Sequence, residues 1–159
     1  PVRYGNETIN IEDSCRLITS HFRRLFGRDT EMVAEPGRAI VGDAVILVTK
    51  VISESCREGL NWLYFNDGTF GSFMEVLLYR AQYPLRTNTT GPPTPYVLAG
   101  PTCDSIDVFS RDTKGQITPT ILPEMHLDDL LIAGSMGAYT FSEATRFNGF
   151  DPPAFVYID

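Results

Sequence analysis

Four short motifs combine residues capable of chemistry with glycines and prolines that shape tight loops. In chain order they are Glu35-Pro36-Gly37-Arg38, Asn66-Asp67-Gly68 with Gly71-Ser72-Phe73, Gly100-Pro101-Thr102-Cys103-Asp104-Ser105-Ile106-Asp107, and Gly137-Ala138-Tyr139-Thr140 leading to Phe147-Asn148-Gly149-Phe150. A thiol has an ordinary pKa of about 8.5 and, being largely protonated at neutral pH, is a competent general acid. A guanidinium can donate two parallel hydrogen bonds to an anion. Each motif alone is a weak signal, but their order and intervals are specific.

The composition is that of an ordinary folded domain. The chain has 159 residues, of which 43% are hydrophobic and 21% are charged, and a chain of this length can bury most of its apolar surface. A net charge of −7, with Lys50 and Lys114 as the only lysines, argues against nucleic-acid binding, which needs clustered positive charge. No apolar run approaches the roughly 20 residues of a membrane span, and residues 1–15 are too polar for a signal peptide. We therefore expect neither a nucleic-acid nor a membrane partner.

The cysteines and histidines predict neither a disulfide framework nor a metal site. Cys15, Cys56 and Cys103 form an odd and widely spaced set, which favours reduced thiols and a cytoplasmic location. Cys15 and Cys56 lie outside every motif, and we interpret them as small buried hydrophobic residues. His21 falls on a predicted helix and His126 precedes a predicted strand. Two isolated histidines without a third ligand make no metal site.

One amphipathic helix is predicted near residues 11–26. Apolar residues recur there at helical spacing, at Ile11, Cys15, Ile18, Phe22 and Leu25. Asn10 is a suitable N-cap, and Gly27 stands where a glycine commonly ends a helix.

The chain after this helix predicts strands. Segments rich in β-branched and aromatic residues are Met32–Ala34, Ala39–Ser53, Trp62–Phe65, Phe73–Tyr79, Tyr96–Ala99, Ser105–Phe109, Leu130–Ala133 and Phe155–Ile158. Asn66-Asp67-Gly68 is a hairpin signal and favours a meander, whereas residues 86–95 are typical of a proline-rich surface loop. A leading helix followed by about seven strands predicts a mainly β fold, either a barrel or a sandwich, that carries a remnant of another unit.

The ordered motifs resemble those of the fold-type III decarboxylases that depend on pyridoxal phosphate, which include ornithine, lysine, arginine and diaminopimelate decarboxylases. The resemblance runs from about Met32 to the end of the chain. In that family an alanine-racemase-like (β/α)8 barrel precedes a C-terminal β-domain. The resemblance implies that residues 1–38 are the end of the barrel, a remnant helix and strand, and that residues 39–159 are the β-domain. The family's Schiff-base lysine lies on an early barrel strand, and neither Lys50 nor Lys114 resembles it.

The resemblance implies that this chain contributes to a site for pyridoxal 5'-phosphate, a cofactor that acts as an electron sink. Glu35 matches the carboxylate that keeps the pyridine nitrogen protonated. Arg38, which follows Gly37, would face the cofactor phosphate. Tyr139 would donate its hydroxyl to the same phosphate, with Gly137 allowing a close backbone approach. The alternatives are a solvated loop acid for Glu35, a surface ion pair for Arg38 and a buried core tyrosine for Tyr139.

The resemblance also implies roles for Cys103 and Asp104. Cys103 would protonate the carbon that has lost CO2, and Asp104 would bind the distal ammonium of the substrate, as the corresponding acid does in ornithine- and lysine-type enzymes. In that family the cysteine and aspartate reach into the cofactor pocket of the neighbouring subunit, so a homodimer with shared active sites is implied. Phe147 matches an interface aromatic residue of the family, although a core-filling phenylalanine is the alternative.

The function implied is decarboxylation of a basic amino acid, with L-ornithine to putrescine first and lysine to cadaverine close behind. Two positions depart from the eukaryotic ornithine decarboxylases, because Phe70 replaces a tyrosine and Tyr79 replaces an acid. The aspartate after Cys103 favours a diamine-producing enzyme over the diaminopimelate type, which has glutamate there. Two other hypotheses stay open. One is a catalytically inactive homologue that acts as a regulatory binding protein, and the other is an unrelated β-barrel ligand-binding module.

Overall fold

A six-stranded sheet organises the chain in the computed structural model, which describes residues 3–4 and 10–158. The strands are β1 (Arg3–Tyr4), β2 (Leu47–Arg57), β3 (Leu60–Phe65), β4 (Ala81–Gln82), β5 (Leu85–Thr87), β6 (Pro93–Ala99), β7 (Thr120–Pro123) and β8 (Leu130–Ala133). The helices are α1 (Ile11–Phe26), α2 (Arg38–Val41) and α3 (Met74–Leu78), with single 3-10 turns at Gly42–Ala44, Phe141–Glu143 and Phe147–Gly149.

The sheet curls into a nearly closed barrel. Its strand order is β5-β8-β2-β3-β6-β7, and β1 and β4 form a separate two-stranded ribbon. The edge strands β5 and β7 contact each other, which nearly closes the sheet. The prediction of a mainly β barrel is therefore confirmed. The predicted meander is wrong, because β3 and β6 pair in parallel, and parallel neighbours require a crossover, here the segment that contains α3, β4 and β5.

Apolar side chains fill the barrel. The largest fully buried side chains of this core are Val51, Leu63, Phe65, Phe73, Leu98, Met125 and Leu131. The ring of Phe73 stacks on that of Phe109, with centroids 4.3 Å apart, and Phe109 also contacts Phe65 at 5.6 Å. These contacts anchor the turn after β3 and the loop after β6 to one core.

Helix α1 begins and ends where it was predicted. The side chain of Asn10 accepts hydrogen bonds from the amides of Glu12 and Asp13 at 2.9 and 3.3 Å, which satisfies donors that a helix start leaves unpaired. Gly27 ends the helix with φ of 75°, and its amide donates to the carbonyl of Arg23 at 3.1 Å. No residue of α1 is buried against the described part of the chain.

Three predicted strands are confirmed. Trp62–Phe65, Tyr96–Ala99 and Leu130–Ala133 lie within β3, β6 and β8. The segment Ala39–Ser53 is only partly a strand, because it starts as α2 and joins β2 at Leu47. Strand β7 was not predicted, β5 ends within the predicted loop of residues 86–95, and β6 begins within that loop at Pro93.

Other strand predictions are wrong. Phe73–Tyr79 contains α3, and Asn66-Asp67-Gly68 is a turn that leads into this helix instead of closing a hairpin. Met32–Ala34, Ser105–Phe109 and Phe155–Ile158 are not strands, although Val108 forms an isolated bridge with Ala99. Composition rich in β-branched and aromatic residues favours a strand, but a ladder forms only where a neighbouring chain segment is placed to pair with it.

Cys15 and Cys56 are exposed, so their interpretation as buried hydrophobic residues is wrong. Cys15 lies on α1, of which no residue is buried, and Cys56 lies near the end of β2, where the strand leaves the core. Apolar spacing along a helix or strand identifies a face, but it does not say what covers that face.

Candidate functional site

The first group of predicted site residues surrounds Arg38 at the start of α2. Arg38 forms an ion pair with Glu75 of α3, and the hydroxyl of Tyr83 donates to the same carboxylate at 3.0 Å. The side chains of Arg38 and Glu75 are 18% and 4% exposed, so this is a buried pair and not the surface ion pair considered from the sequence. The guanidinium carbon of Arg38 also lies 5.2 Å from the ring centroid of Tyr139. Two elements distant in sequence therefore fix the guanidinium.

Close backbone approaches hold Tyr139 beside α2. A Cβ on Gly37 would lie 3.3 Å from the hydroxyl of Tyr139, and a Cβ on Gly137 would lie 1.7 Å from the carbonyl oxygen of Val41. The amide of Gly137 donates to the carbonyl of Gly42 at 2.9 Å. Tyr139 itself has φ of 56° and is 49% exposed, so the alternative of a buried core tyrosine is wrong. The backbone at Gly137 closely approaches the carbonyls of the α2 segment, whereas its expected approach to a cofactor phosphate stays a prediction.

The Arg38 group has the donor chemistry to bind an anion such as a cofactor phosphate. A guanidinium and a phenol hydroxyl both donate hydrogen bonds, and the guanidinium adds a permanent positive charge. Gly37 presents backbone without a side chain next to the hydroxyl of Tyr139. Glu35 is exposed on the irregular segment that precedes α2, so its carboxylate is accessible to a ligand. These residues fit a cofactor that carries both a phosphate and a basic ring nitrogen.

The second group lies on residues 100–107, the loop after β6. Cys103 is exposed at its tip, and Asp104 is partly buried beside it. The carboxylate of Asp104 accepts a hydrogen bond from the amide of Ile106 at 2.9 Å, a local turn that orients the side chain. A thiol and a fixed carboxylate thus stand side by side at an accessible loop tip.

Two turns flank the loop tip. The rings of Phe70 and Phe147 stack with centroids 4.1 Å apart, and both the amide and the hydroxyl of Thr145 donate to the carbonyl of Phe70, at 2.8 and 2.9 Å. The side-chain amide of Asn148 lies 3.9 Å from the sulfur of Cys103. The three segments line a small common cavity. Phe147 is 38% exposed, so the alternative of a core-filling phenylalanine is wrong.

A buried carboxyl, Asp67, lies in the turn that carries Phe70. One of its oxygens accepts hydrogen bonds from the amides of Gly68 and Ser72 at 2.7 and 2.9 Å, and the other is buried without a hydrogen-bond partner among the described residues. Burial raises the pKa of Asp67 by more than the hydrogen bonds from Ser72 and Gly68 lower it, and the charge of nearby Asp107 raises it further. The protonated form of Asp67 is therefore favoured more than it is for a carboxyl in water.

Sequence reasoning missed Glu75, Tyr83 and Asn148. It also assigned no role to Asp67 or Asp107. The signal for Glu75 was an acid inside an otherwise apolar segment, because such a residue is rarely buried without a cationic partner. Asn148 stood inside a recognised motif, but nothing local in the sequence places its amide beside Cys103.

Residues 3–4 and 10–158 contain no group of three or more side chains arranged to hold a metal ion. Within the same described ranges, no helix combines the length and the apolar character that a membrane crossing requires.

The chain matches the family model described as the C-terminal sheet domain of pyridoxal-dependent decarboxylases over residues 17–137. A lysine/ornithine decarboxylase from Selenomonas ruminantium is 38% identical over 142 residues, which cover 89% of this chain and 34% of that protein. A probable ornithine decarboxylase from Dictyostelium discoideum is 35% identical, covering 96% of this chain and 35% of that protein. The chain therefore spans about a third of the length of these curated relatives.

Solved structures show the same likeness. The lysine/ornithine decarboxylase from Vibrio vulnificus, in complex with cadaverine, superposes with a TM-score of 0.81 at 38% identity, covering 96% of this chain and 40% of that one. The arginine decarboxylase of Paramecium bursaria Chlorella virus superposes with a TM-score of 0.74 at 34% identity, covering 85% of this chain and 36% of that one. The resemblance predicted from the ordered motifs is confirmed: the chain belongs to the pyridoxal-dependent ornithine, diaminopimelate and arginine decarboxylase family and matches its C-terminal sheet domain.

Proposed function

We propose that this chain supplies part of the active site of a decarboxylase of basic amino acids, with L-ornithine as the first candidate substrate and lysine as the second. The observation that carries this proposal is the exposed Cys103 next to the oriented carboxylate of Asp104, in a chain that belongs to this family. Such a reaction requires an acid that protonates the carbon after CO2 has left. It also requires an anionic group that holds the distal ammonium of the substrate.

The cofactor-binding part of the proposal rests on the Arg38 group. When bound, pyridoxal 5'-phosphate supplies an electron sink for cleavage of the carbon–carbon bond. We assign the phosphate to Arg38, Tyr139 and the backbone at Gly37, whose proximity supports a shared anionic ligand. Glu35 would hold the proton on the ring nitrogen, for which its exposure and its place three residues before Arg38 are suitable.

Cys103 would deliver a proton from its sulfur to the carbon that has lost CO2. Its exposed position at a loop tip lets it approach one face of a ligand, and the side-chain amide of Asn148, 3.9 Å from the sulfur, contacts it from the side. Protonation of the carbon that has lost CO2 leads to amine release, whereas protonation elsewhere leads to the carbonyl side product.

Asp104 would bind the distal ammonium of the substrate. An amino acid without this amine would leave the carboxylate unpaired, and such a mismatch is costly in a partly desolvated site. The relatives support basic substrates: the Selenomonas protein carries both lysine and ornithine in its name, and the Vibrio enzyme has been solved with cadaverine and with putrescine.

The proposal extends to the assembly that would complete the site. We propose that an N-terminal (β/α)8 barrel carries the Schiff-base lysine, with residues 1–38 as the end of that barrel and residues 39–159 as the β-domain. The apolar face of α1, which nothing described covers, supports a neighbouring unit there. We further propose a cytoplasmic homodimer in which Cys103 and Asp104 serve the cofactor of the neighbouring subunit.

The test uses this chain together with its proposed barrel, which we call the complete polypeptide. Cys103→Ala should still consume substrate but release less amine and more of the corresponding carbonyl product, measured by quantifying both products. Cys56→Ala, which alters another exposed cysteine, is the matched control and should keep the wild-type product ratio. A normal amine yield from Cys103→Ala would refute the proton-donor role.

Substrate class is tested by comparing ornithine, lysine, arginine and diaminopimelate as substrates of the wild-type protein. The proposal predicts that ornithine or lysine is turned over best and that Asp104→Asn lowers kcat/KM for it by about a hundredfold, as expected for loss of a buried charge partner. A wild-type protein that binds the cofactor but decarboxylates none of these amino acids would favour the regulatory binding protein instead.

A further inference from the structure

A buried carboxylate, Asp107, lies at the base of the loop that carries Cys103. It is 1% exposed. One of its oxygens accepts hydrogen bonds from the amide and the hydroxyl of Thr69 at 2.7 and 3.0 Å. The other accepts from the amide and the hydroxyl of Thr102 at 3.0 and 2.7 Å. One carboxylate therefore ties two chain segments together through four charge-assisted hydrogen bonds.

The loop is closed around this carboxylate. The amide of Gly100 donates to the carbonyl of Asp107 at 2.9 Å, and the amide of Asp107 donates to the carbonyl of Asp104 at 3.1 Å. Cys103 stands between Thr102 and Asp104, and each of these neighbours is hydrogen-bonded directly to Asp107. The backbone is thus held immediately before and immediately after the thiol.

Two glycines make the space that the Asp107 carboxylate occupies. A Cβ on Gly68 would lie 2.2 Å from the nearer carboxylate oxygen, and a Cβ on Gly100 would lie 2.3 Å from the same oxygen. Separations this short are not found between real atoms, so no side chain fits at either position while Asp107 stays where it is. The niche is matched to a short carboxylate held close to two backbone segments.

The Thr69 side of the network leads to the aromatic wall of the site. Thr69 directly precedes Phe70, whose ring stacks on Phe147. The hydrogen bonds from Thr69 to Asp107 therefore fix the register between the turn that carries Phe70 and the loop that carries Cys103. Asp107 links the loop that carries the proposed proton donor to the turn that carries Phe70.

We propose that Asp107 is a positioning residue, which acts through Thr102 and Thr69 to hold Cys103 and Asp104 at the reacting end of the site. This inference rests on the proposed function. Asp107 lines part of the small cavity, but both of its carboxylate oxygens accept hydrogen bonds from Thr69 and Thr102, so its effect on the reaction passes through the backbone of residues 102–104. The chemical consequence is control over where the proton arrives.

The test compares Thr102→Val with Thr102→Ser in the complete polypeptide, together with Asp107→Asn. The valine variant removes the hydroxyl donor to Asp107 at nearly constant shape, whereas the serine variant keeps that donor and serves as the matched control. Two readouts are used: amide hydrogen exchange at residues 69 and 102–104 without substrate, and the fraction of product released as amine. Cofactor affinity, which depends on the separate Arg38 group, is measured in parallel.

We expect exchange at these amides to become at least about tenfold faster in Thr102→Val and Asp107→Asn, because each loses a charge-assisted hydrogen bond. The amine fraction should fall in the same two variants, with cofactor affinity unchanged within about twofold, and Thr102→Ser should resemble the wild type. Unchanged amide protection would overturn the proposal. A loss of cofactor affinity equal to the loss of amine would also overturn it, because that pattern indicates general unfolding.

These outcomes are distinguishable from failure of the proposed function. If the function is wrong, the wild-type protein itself releases no amine, or Cys103→Ala keeps a normal amine yield. If only the positioning role is wrong, wild type and Cys103→Ala behave as proposed while Asp107→Asn keeps the wild-type amine fraction despite faster exchange at residues 102–104.

Discussion

Substituting Gly137 by alanine should disrupt the part of the site that contains Arg38 and Tyr139. The new Cβ would lie 1.7 Å from the carbonyl oxygen of Val41 and 3.0 Å from that of Gly42. Ordinary van der Waals contact begins at 3.4 Å, so the Val41 carbonyl must move by about 1.7 Å. Both partners are backbone atoms, so no side-chain rotation relieves the clash.

This displacement has two measurable consequences. Overpacking of a well-packed segment typically costs about 1–3 kcal/mol of unfolding free energy. The shift also carries α2, which begins at Arg38, away from Tyr139, whose ring centroid is 5.2 Å from the guanidinium carbon. Loss of one hydrogen bond to a charged ligand group corresponds to about tenfold or more in affinity. We therefore expect Gly137→Ala to weaken cofactor binding by at least about tenfold.

The assay is a spectrophotometric titration of the apo form of the complete polypeptide with pyridoxal 5'-phosphate, accompanied by chemical denaturation. Gly134→Ala is the matched control, because its Cβ would lie 3.2 Å from the side chain of Pro84 and 3.8 Å from the carbonyl oxygen of Pro84, which is ordinary van der Waals contact. The side-chain contact can relax by a few tenths of an ångström, and affinity should stay within about twofold. Wild-type cofactor affinity in Gly137→Ala would refute the assignment of this backbone contact to the cofactor site.

Three further predictions concern the buried polar groups and the aromatic wall. Glu75→Ala should lower the unfolding free energy by about 3 kcal/mol in denaturant titrations, because it leaves a buried guanidinium without its ion-pair partner. The control Glu12→Ala, on the exposed face of α1, should change the unfolding free energy by less than about 0.5 kcal/mol. Asp67 has a raised pKa in the folded state, so the unfolding free energy should fall as pH rises from about 4 through that pKa. Asp67→Asn should flatten this pH dependence in thermal melts at constant ionic strength. Phe70→Ala should raise KM for the amino acid severalfold with a smaller change in kcat, because it removes the ring stacked on Phe147; an unchanged KM would show that this wall does not contact substrate.

Local signals in the sequence were sufficient for features that depend on neighbouring residues. Asn10 and Gly27 identify both ends of α1, because capping is decided within one helical turn. The order of the four motifs was sufficient for the family, whereas the close approach of Gly137 to a cofactor phosphate stays a prediction.

Features that depend on distant partners were not predictable in this way. Glu75 and Arg38 lie 37 residues apart in the sequence, and their pairing requires α3, a helix in a segment whose composition predicts a strand. The parallel pairing of β3 with β6 likewise depends on the crossover that contains this helix. Cys15 is exposed because no described part of the chain covers α1. The apolar spacing of the helix cannot specify what covers it.

The site residues form two groups with different proposed duties. Arg38 and Tyr139 stand beside each other on α2 and the segment after β8, where they would hold the cofactor of their own subunit. Cys103 and Asp104 stand at a loop tip braced by Asp107, where they would reach a neighbouring cofactor. Under this proposal, a chain that spans about a third of the length of its relatives would contribute to two sites, its own and that of a neighbouring subunit.

Subunit mixing tests the central claim that Cys103 completes the site of another subunit. Two variants of the complete polypeptide that are deficient in amine release are combined, one carrying Cys103→Ala and the other lacking the proposed Schiff-base lysine of the barrel, and amine release is measured after subunit exchange. In a symmetric dimer with shared sites, half of the dimers are mixed and each has one intact site, so amine release should recover to about a quarter of the wild-type value. Amine release that stays at the level of the two parent variants after confirmed exchange would contradict the account.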